Sequence, residues 1–334
     1  MKTDIQIKRS PLNPVLSRED MPYPSSLVFN AGVAKFNGRY VMVFRNDYNQ
    51  TEENFKGGGD FKIRLGMAVS DDGVKWQVDP VKDFLTNLLS DEISHVYDPR
   101  LTVIDGRCYM CFAVNTRHGV RGGIAVTDDF DRFEVLSLSV PDNRNMVLFP
   151  RRINNKFFRL ERPFPVYSRG GIDRFDMWIS SSPDCINWGN SELLLGVEDV
   201  PFANDKIGPG APPVETGSGW LTVFHAVDLD RSRGKNGWES KWQKRYTAGV
   251  MLLDLDNPYK IKGICRQPLL TPEAEYEVSG GYRNNVIFPG GLILEDSGEV
   301  KIYYGAADTV ECLATARVDD LLELCGVSAQ SGRK

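Results

Sequence analysis

The chain has only three histidines in 334 residues. His95, His118 and His225 stand far apart, in neither H-E-x-x-H nor H-x-H spacing, so the pattern offers no metal centre. Six cysteines are too few for a disulfide scaffold at this length. Cys108 and Cys111 form a C-x-x-C, but inside the strand-like run CYMCF, where residues three apart point to opposite faces. Buried, reduced thiols are expected there. No apolar run approaches the roughly 18 residues of a membrane helix, and the opening MKTDIQIKRSP lacks the apolar core of a secretory signal. The expected compartment is the cytoplasm, with no membrane partner. Positive charge is also scarce: 40 Lys and Arg against 45 Asp and Glu leave a net charge of −5, the wrong sign for a general nucleic-acid binder. Neither a G-x-G-x-x-G nor a Walker phosphate loop occurs, and no G-x-S-x-G elbow. Few windows show a 3.6-residue period, which excludes a helix-rich fold.

What the sequence does contain is a repeat. An extended run, a Gly or Asn turn and an aromatic-rich strand recur at 33–45, 101–113, 151–162, 213–226 and 292–308. The turns are Asn-Gly, Asp-Gly, Asn-Asn, Gly-Ser-Gly and Ser-Gly, residues that tolerate positive φ and close tight hairpins. A second extended segment follows each copy, at 63–76, 122–133, 175–188, 248–261 and 311–324. Two hairpins per repeat make a four-stranded unit, and five units predict an all-β, five-bladed propeller in one domain over 1–334. Each repeat is about 67 residues, longer than the familiar blades. Long loops at 46–62, 77–96 and 227–245 take up the difference, and long loops on a rigid scaffold tend to line a site. A two-sheet sandwich is the competing architecture.

Aligning the repeats gathers polar residues at one end of the blades, around a central funnel. Before the hairpins stand Asn30, Asp98 and Arg151, with Lys206 in the fourth repeat and Asn284 and Asn285 in the fifth. Strand alternation sends one of Arg151 and Arg152 inward, and Arg151 is assigned there. After the hairpins stand Arg45 and Asp47, Asn115, Arg162, His225 and Asp308. Carboxylates and amides suit sugar hydroxyls. Arginines with a lysine suit phosphate, because guanidinium forks bind it bidentately and an ammonium adds charge. Without a backbone loop for phosphate, side chains must hold the anion, which points to free phosphate or a sugar phosphate rather than a nucleotide. Trp76 and Trp188 recur at one repeat position and are expected to pack between blades, whereas Trp238 and Trp242 are expected to be exposed.

The motifs FNAG, FRND, YDPR, LFPR, ERP, NDKIGPGAPP, LTVFHAV, YTAGVMLLDLDNP, LLTPEAEYE and IYYGAADT occur in this order over about 28–325. Together they resemble the inverting β-mannoside phosphorylases of glycoside hydrolase family 130, which are five-bladed propellers. FKGGGDF, ERPFPVYSRGG, SRGKNGW and GAADTVECLATA look most like the 4-O-β-D-mannosyl-D-glucose phosphorylase branch. The resemblance implies that a β-mannoside and inorganic phosphate give α-mannose 1-phosphate and a shortened acceptor, with phosphate as co-substrate and no cofactor or metal. It implies Asp98 as general acid, passing its proton through the mannose 3-hydroxyl. It places Arg151, Arg162, Lys206, His225 and Tyr246 around phosphate, and Asn30, Arg45, Asp47 and Asp308 around mannose. The chain departs from related mannooligosaccharide enzymes in reading FNAG for FNSA and in lacking a histidine after the ERP motif. The alternatives are a β-1,4-mannooligosaccharide phosphorylase and a sugar-binding propeller without catalysis. Long loops are also compatible with a homo-oligomer.

Overall fold

Tight turns set the architecture. Asn37-Gly38, Asp105-Gly106 and Asn154-Asn155 all take positive φ and close hairpins where the repeats place them. The structure, a computed structural model, describes residues 7–165, 174–234, 237–239 and 242–327. Residues 166–171 of ERPFPVYSRGG and 235–236 of SRGKNGW therefore lie outside the described residues. Among those described, five antiparallel sheets form, and they are the blades. Their innermost strands are Leu27–Phe36, Ile93–Ile104, Asn143–Leu148, Lys206–Pro209 and Ile287–Leu294. The next strands outward are Arg39–Tyr48, Arg107–Thr116, Phe157–Pro163, Gly219–Leu229 and Glu299–Ala306. In blade 4 a short strand, Val214–Thr216, continues the pairing begun by Lys206–Pro209.

The ring closes by exchange of its ends. Lys8–Arg9, from the start of the chain, is the outermost strand of blade 5, paired with Val310–Arg317. An ion pair locks this closure: Arg9 Nε donates to Glu277 Oε1 at 2.8 Å, and the Tyr304 hydroxyl donates to the same oxygen at 2.8 Å. Glu277 is fully buried, so these bonds replace its hydration.

The apolar core lies between the blades, as alternating strands require. Trp76 packs edge-to-face on Tyr303, and Trp188 joins the cluster between blades 2 and 3. The axis is plugged by Arg100 of the YDPR motif. Its buried guanidinium donates to the carbonyls of Gly210 (2.7 Å), Pro99 (2.7 Å) and Pro289 (3.3 Å), tying blades 2, 4 and 5 together. All six cysteines are free and buried. Among the described residues no helix is long and apolar enough to cross a membrane.

Candidate active site

Three of the innermost strands carry a β-bulge at the same place. Register shifts separate Phe29 from Gly32, Tyr97 from Arg100, and Arg144 from Val147. Inside each shift one residue is left-handed: Asn30 (φ 53°), Asp98 (φ 52°) and Asn145 (φ 59°). Asn and Asp tolerate that region because a short polar side chain can bond locally. A bulge re-aims the side chain it carries, and these three aim at one cavity on the axis. Asn30, Arg45, Tyr97, Asp98, Arg144, Asn145, Arg162, Trp242, Tyr246, Arg283, Phe288 and Asp308 line it.

One half of the cavity is built to orient carboxylates. Asn30 Nδ2 donates to Asp98 Oδ1 at 3.0 Å. Arg45 holds Asp47 bidentately at 2.8 and 2.7 Å. Asp47 itself stands behind Arg45 and does not line the cavity, so it acts by fixing that guanidinium. Burial pushes the Asp47 carboxyl up, against the pull of Arg45. Asp308 occupies a left-handed turn (φ 49°) with its Oδ2 3.4 Å from Arg283 Nη1. Burial pushes its carboxyl up as well, with Arg283 and Arg45 opposing.

The other half is cationic without a matching acid. Arg144 and Arg162 are directly opposite on neighbouring strands. Like charges so placed repel, and among the described residues neither has a carboxylate partner. The Nε of each is buried with no hydrogen-bond partner. Arg162 is 2% exposed, and burial followed by the charge of Arg144 lowers its guanidinium to about 9. Among the described residues its hydrogen-bond partner is His225, whose Nε2 lies 3.0 Å from Arg162 Nη1, while His225 Nδ1 lies 3.2 Å from the Pro209 carbonyl. A carbonyl only accepts and a guanidinium only donates, so the proton is on Nδ1 and Nε2 accepts. Burial, then Arg162, keeps the ring neutral, well below the ordinary histidine range. Gly208 makes this fit possible, since a Cβ there would lie 2.6 Å from the His225 ring. Lys206, 9% exposed, completes the layer behind Arg162, near Asp205 and Lys244. Burial, then Arg162 and Lys244, lowers its ammonium to about 6.

The structure thus brings Asn30, Arg45, Asp98, Arg162, Tyr246 and Asp308 to the cavity wall and sets Asp47, Lys206 and His225 directly behind it. Arg151 is the correction. It lies in the hairpin loop at the far end of blade 3, exposed and paired with Glu215 at 2.7 and 3.0 Å. The innermost strand ends at Leu148, two residues before Pro150, so alternation does not extend to Arg151. Arg144 takes the place expected for it. Trp242 is the second correction: it is 6% exposed, stacks on Tyr246 at 5.8 Å and donates its indole N–H to the Asn284 carbonyl at 2.9 Å. Arg283, absent from the sequence reading, is held between the Trp242 and Tyr282 rings and bonds Glu239 at 2.7 Å. A larger cavity, of about 720 Å³, lies between the outer parts of blades 2 and 3, but its arginines, Arg159 and Arg174, are already paired with Glu161 at 2.8 Å and Glu198 at 3.1 Å. It has no counterpart of the unpaired cations on the axis.

The geometry makes a proton prediction. An anion settling on Arg162 favours the ammonium of Lys206, which is largely neutral near pH 7 in the empty protein. Phosphate binding is therefore expected to take up a proton at Lys206. Titration calorimetry in buffers of different ionisation enthalpy measures this. Wild type should take up more protons than Lys206→Met, and equal uptake would remove Lys206 from the anion site.

A family model for glycoside hydrolase family 130, described as β-1,4-mannooligosaccharide phosphorylase, matches residues 4–327. The chain is 33% identical over 330 residues to a β-1,4-mannooligosaccharide phosphorylase of Ruminococcus albus, covering 95% of this chain and 90% of that protein. It is 27% identical to a 4-O-β-D-mannosyl-D-glucose phosphorylase of Bacteroides fragilis, covering 91% of this chain and 76% of the other. Among solved structures, a β-1,2-mannobiose phosphorylase of Listeria innocua in complex with β-1,2-mannobiose superposes with a TM-score of 0.80 at 25% identity, covering 96% and 99% of the two chains.

Proposed function

The chain belongs to glycoside hydrolase family 130, and from that premise we propose that it cleaves a β-1,4-mannoside with inorganic phosphate, releasing α-mannose 1-phosphate. The observation that carries this reading is the facing pair Arg144 and Arg162, a half-buried and a buried guanidinium that have no carboxylate partner among the described residues, each with a buried Nε that finds no acceptor there. A buried charge without a partner is costly, and an incoming dianion with several acceptor oxygens relieves it. Inverting hydrolysis needs a second carboxylate to activate water. Phosphate is already anionic, so a cradle of cations replaces that base.

In the reaction, mannose lies between Asn30, Arg45 and Asp308, with phosphate on Arg144 and Arg162 at the opposite face of the anomeric carbon. Tyr246 borders the anion. Asp98 gives its proton, through the mannose 3-hydroxyl, to the glycosidic oxygen. The bond from that oxygen to the anomeric carbon breaks as a phosphate oxygen bonds the same carbon from the far side, turning β into α. The acceptor leaves with a new hydroxyl. Six buried, unpaired thiols fit a reducing cytoplasm.

The acceptor favoured is a mannose unit, supported by the description of the family model and by the Ruminococcus relative. A second reading, with glucose as acceptor, is carried by the FKGGGDF and SRGKNGW motifs. Running the reaction backwards separates them. Given α-mannose 1-phosphate and a panel of glucose, mannose, β-1,4-mannobiose and N-acetylglucosamine, the protein should couple mannose or mannobiose best, in a β-1,4 bond identified by NMR. Preference for glucose would establish the second reading, a β-1,2 product would overturn the linkage, and coupling to none would overturn the function.

A further inference from the structure

We propose that Glu311, a buried carboxyl outside the cavity, is the positioning residue that aims the proton of Asp98, an inference that rests on Asp98 being the general acid. A bulge takes the amide after its left-handed residue out of the sheet ladder, and a buried amide must find another acceptor. In blade 2 that residue is Pro99, which has no N–H, so the bulge holding Asp98 needs none. In blade 1 it is Ala31, and its N–H is taken by Glu311 Oε2 at 3.0 Å.

Glu311 cannot retreat from this bond. It is fully buried, and its own backbone is pinned to the N-terminal segment: its N–H donates to the Leu16 carbonyl at 2.9 Å and its carbonyl accepts from Val15 at 2.9 Å. Arg100 is the charged group facing it, with its own donors committed to backbone carbonyls. Burial pushes the Glu311 carboxyl up to about 8, so it accepts from Ala31 largely as a neutral acid.

The bulge it fixes carries Asn30. From the other side Asn30 is boxed by Gly305, where a Cβ would lie 2.2 Å from Asn30 Oδ1. Backbone and side chain are thus set independently, and what they set is the donation from Asn30 Nδ2 to Asp98 Oδ1 at 3.0 Å. An oxygen that accepts an N–H in this way acts as the carbonyl of the protonated acid. The transferable proton is then on Oδ2, in one direction.

Three variants test this. Glu311→Ala is expected to lower kcat by about tenfold or more, within the range a general acid supplies, with a smaller rise in the mannoside KM because Asn30 also borders the sugar. Loss of a donor to the carboxylate also moves the alkaline limb of the kcat profile to higher pH. Glu311→Gln, which keeps a neutral acceptor for Ala31, should restore both kcat and the limb. Gly305→Ala, which leaves Glu311 intact and displaces Asn30, should reproduce the loss and the shifted limb. A Glu311→Ala protein with a lower melting temperature but an unmoved limb would overturn the proposal. If that variant does not fold, a wild-type limb in Gly305→Ala overturns it instead. Full turnover by Asp98→Asn would defeat the underlying assignment, a result distinct from either.

Discussion

Asp98→Asn should reduce kcat by about 10²–10⁴, the contribution of a positioned general acid, without weakening mannoside binding. Asparagine is the informative replacement. It tolerates the left-handed backbone that Asp98 adopts at φ 52°, and its carbonyl still accepts from Asn30, so the bulge and the cavity shape survive. Only the transferable proton is removed. Steady-state turnover with phosphate, together with calorimetric titration of the mannoside into the variant, measures both halves. Loss of binding in parallel with loss of turnover would mean that Asp98 holds sugar rather than delivers a proton. Turnover at the wild-type rate would place the acid elsewhere in the cavity.

Arg162→Met should act on the other substrate. Truncating one member of a buried charged contact costs about 2–5 kcal/mol, so kcat/KM for phosphate should fall by about 30-fold to several thousandfold at 1.4 kcal/mol per factor of ten. Its effect on stability should run the opposite way. In the empty protein Arg162 is a buried cation facing Arg144, with a neutral histidine as its hydrogen-bond partner. Replacing such a charge with an apolar group of similar length is neutral or stabilising. The melting temperature in phosphate-free buffer should therefore hold or rise, while the stabilisation that phosphate gives wild type, about 2.7 kcal/mol at a hundred times its Kd, should disappear. A variant that loses stability without phosphate but keeps its phosphate shift would show that Arg162 is a structural residue.

The five blades were legible because turn chemistry and strand alternation are local signals. Asn37-Gly38 and Asp105-Gly106 require positive φ and announce their hairpins. The carboxylate half of the cavity was legible for the same reason. Asn30 and Asp98 each stand seven residues before their hairpin turn, and the repeat superimposes them. In blade 3 the left-handed Asn145 stands nine residues before Asn154. The longer hairpin carries Arg151 and Arg152 out of the strand, so taking the arginine pair just before the turn and applying strand alternation chose Arg151, whereas Arg144 lines the cavity. The signal that identifies the right position is the left-handed-tolerant residue: Asn or Asp within an otherwise apolar strand, with Arg144 immediately before Asn145. Trp242 was hidden differently. Its neighbours in SRGKNGWESKWQKR are polar, which suggests an exposed ring, but Tyr246, four residues on, and Arg283, from a distant part of the chain, cover it. Arg283 and Glu311 owe their places to neighbouring elements far away in sequence, and no local pattern marks either.

Attack by phosphate is the step on which the proposed reaction depends. A β-1,4-mannoside should be incubated with the purified protein with and without inorganic phosphate, and the products followed by phosphorus and proton NMR. The expected result is α-mannose 1-phosphate, in proportion to bond cleavage, and no cleavage when phosphate is withheld. Free mannose at the same rate in either mixture would contradict it.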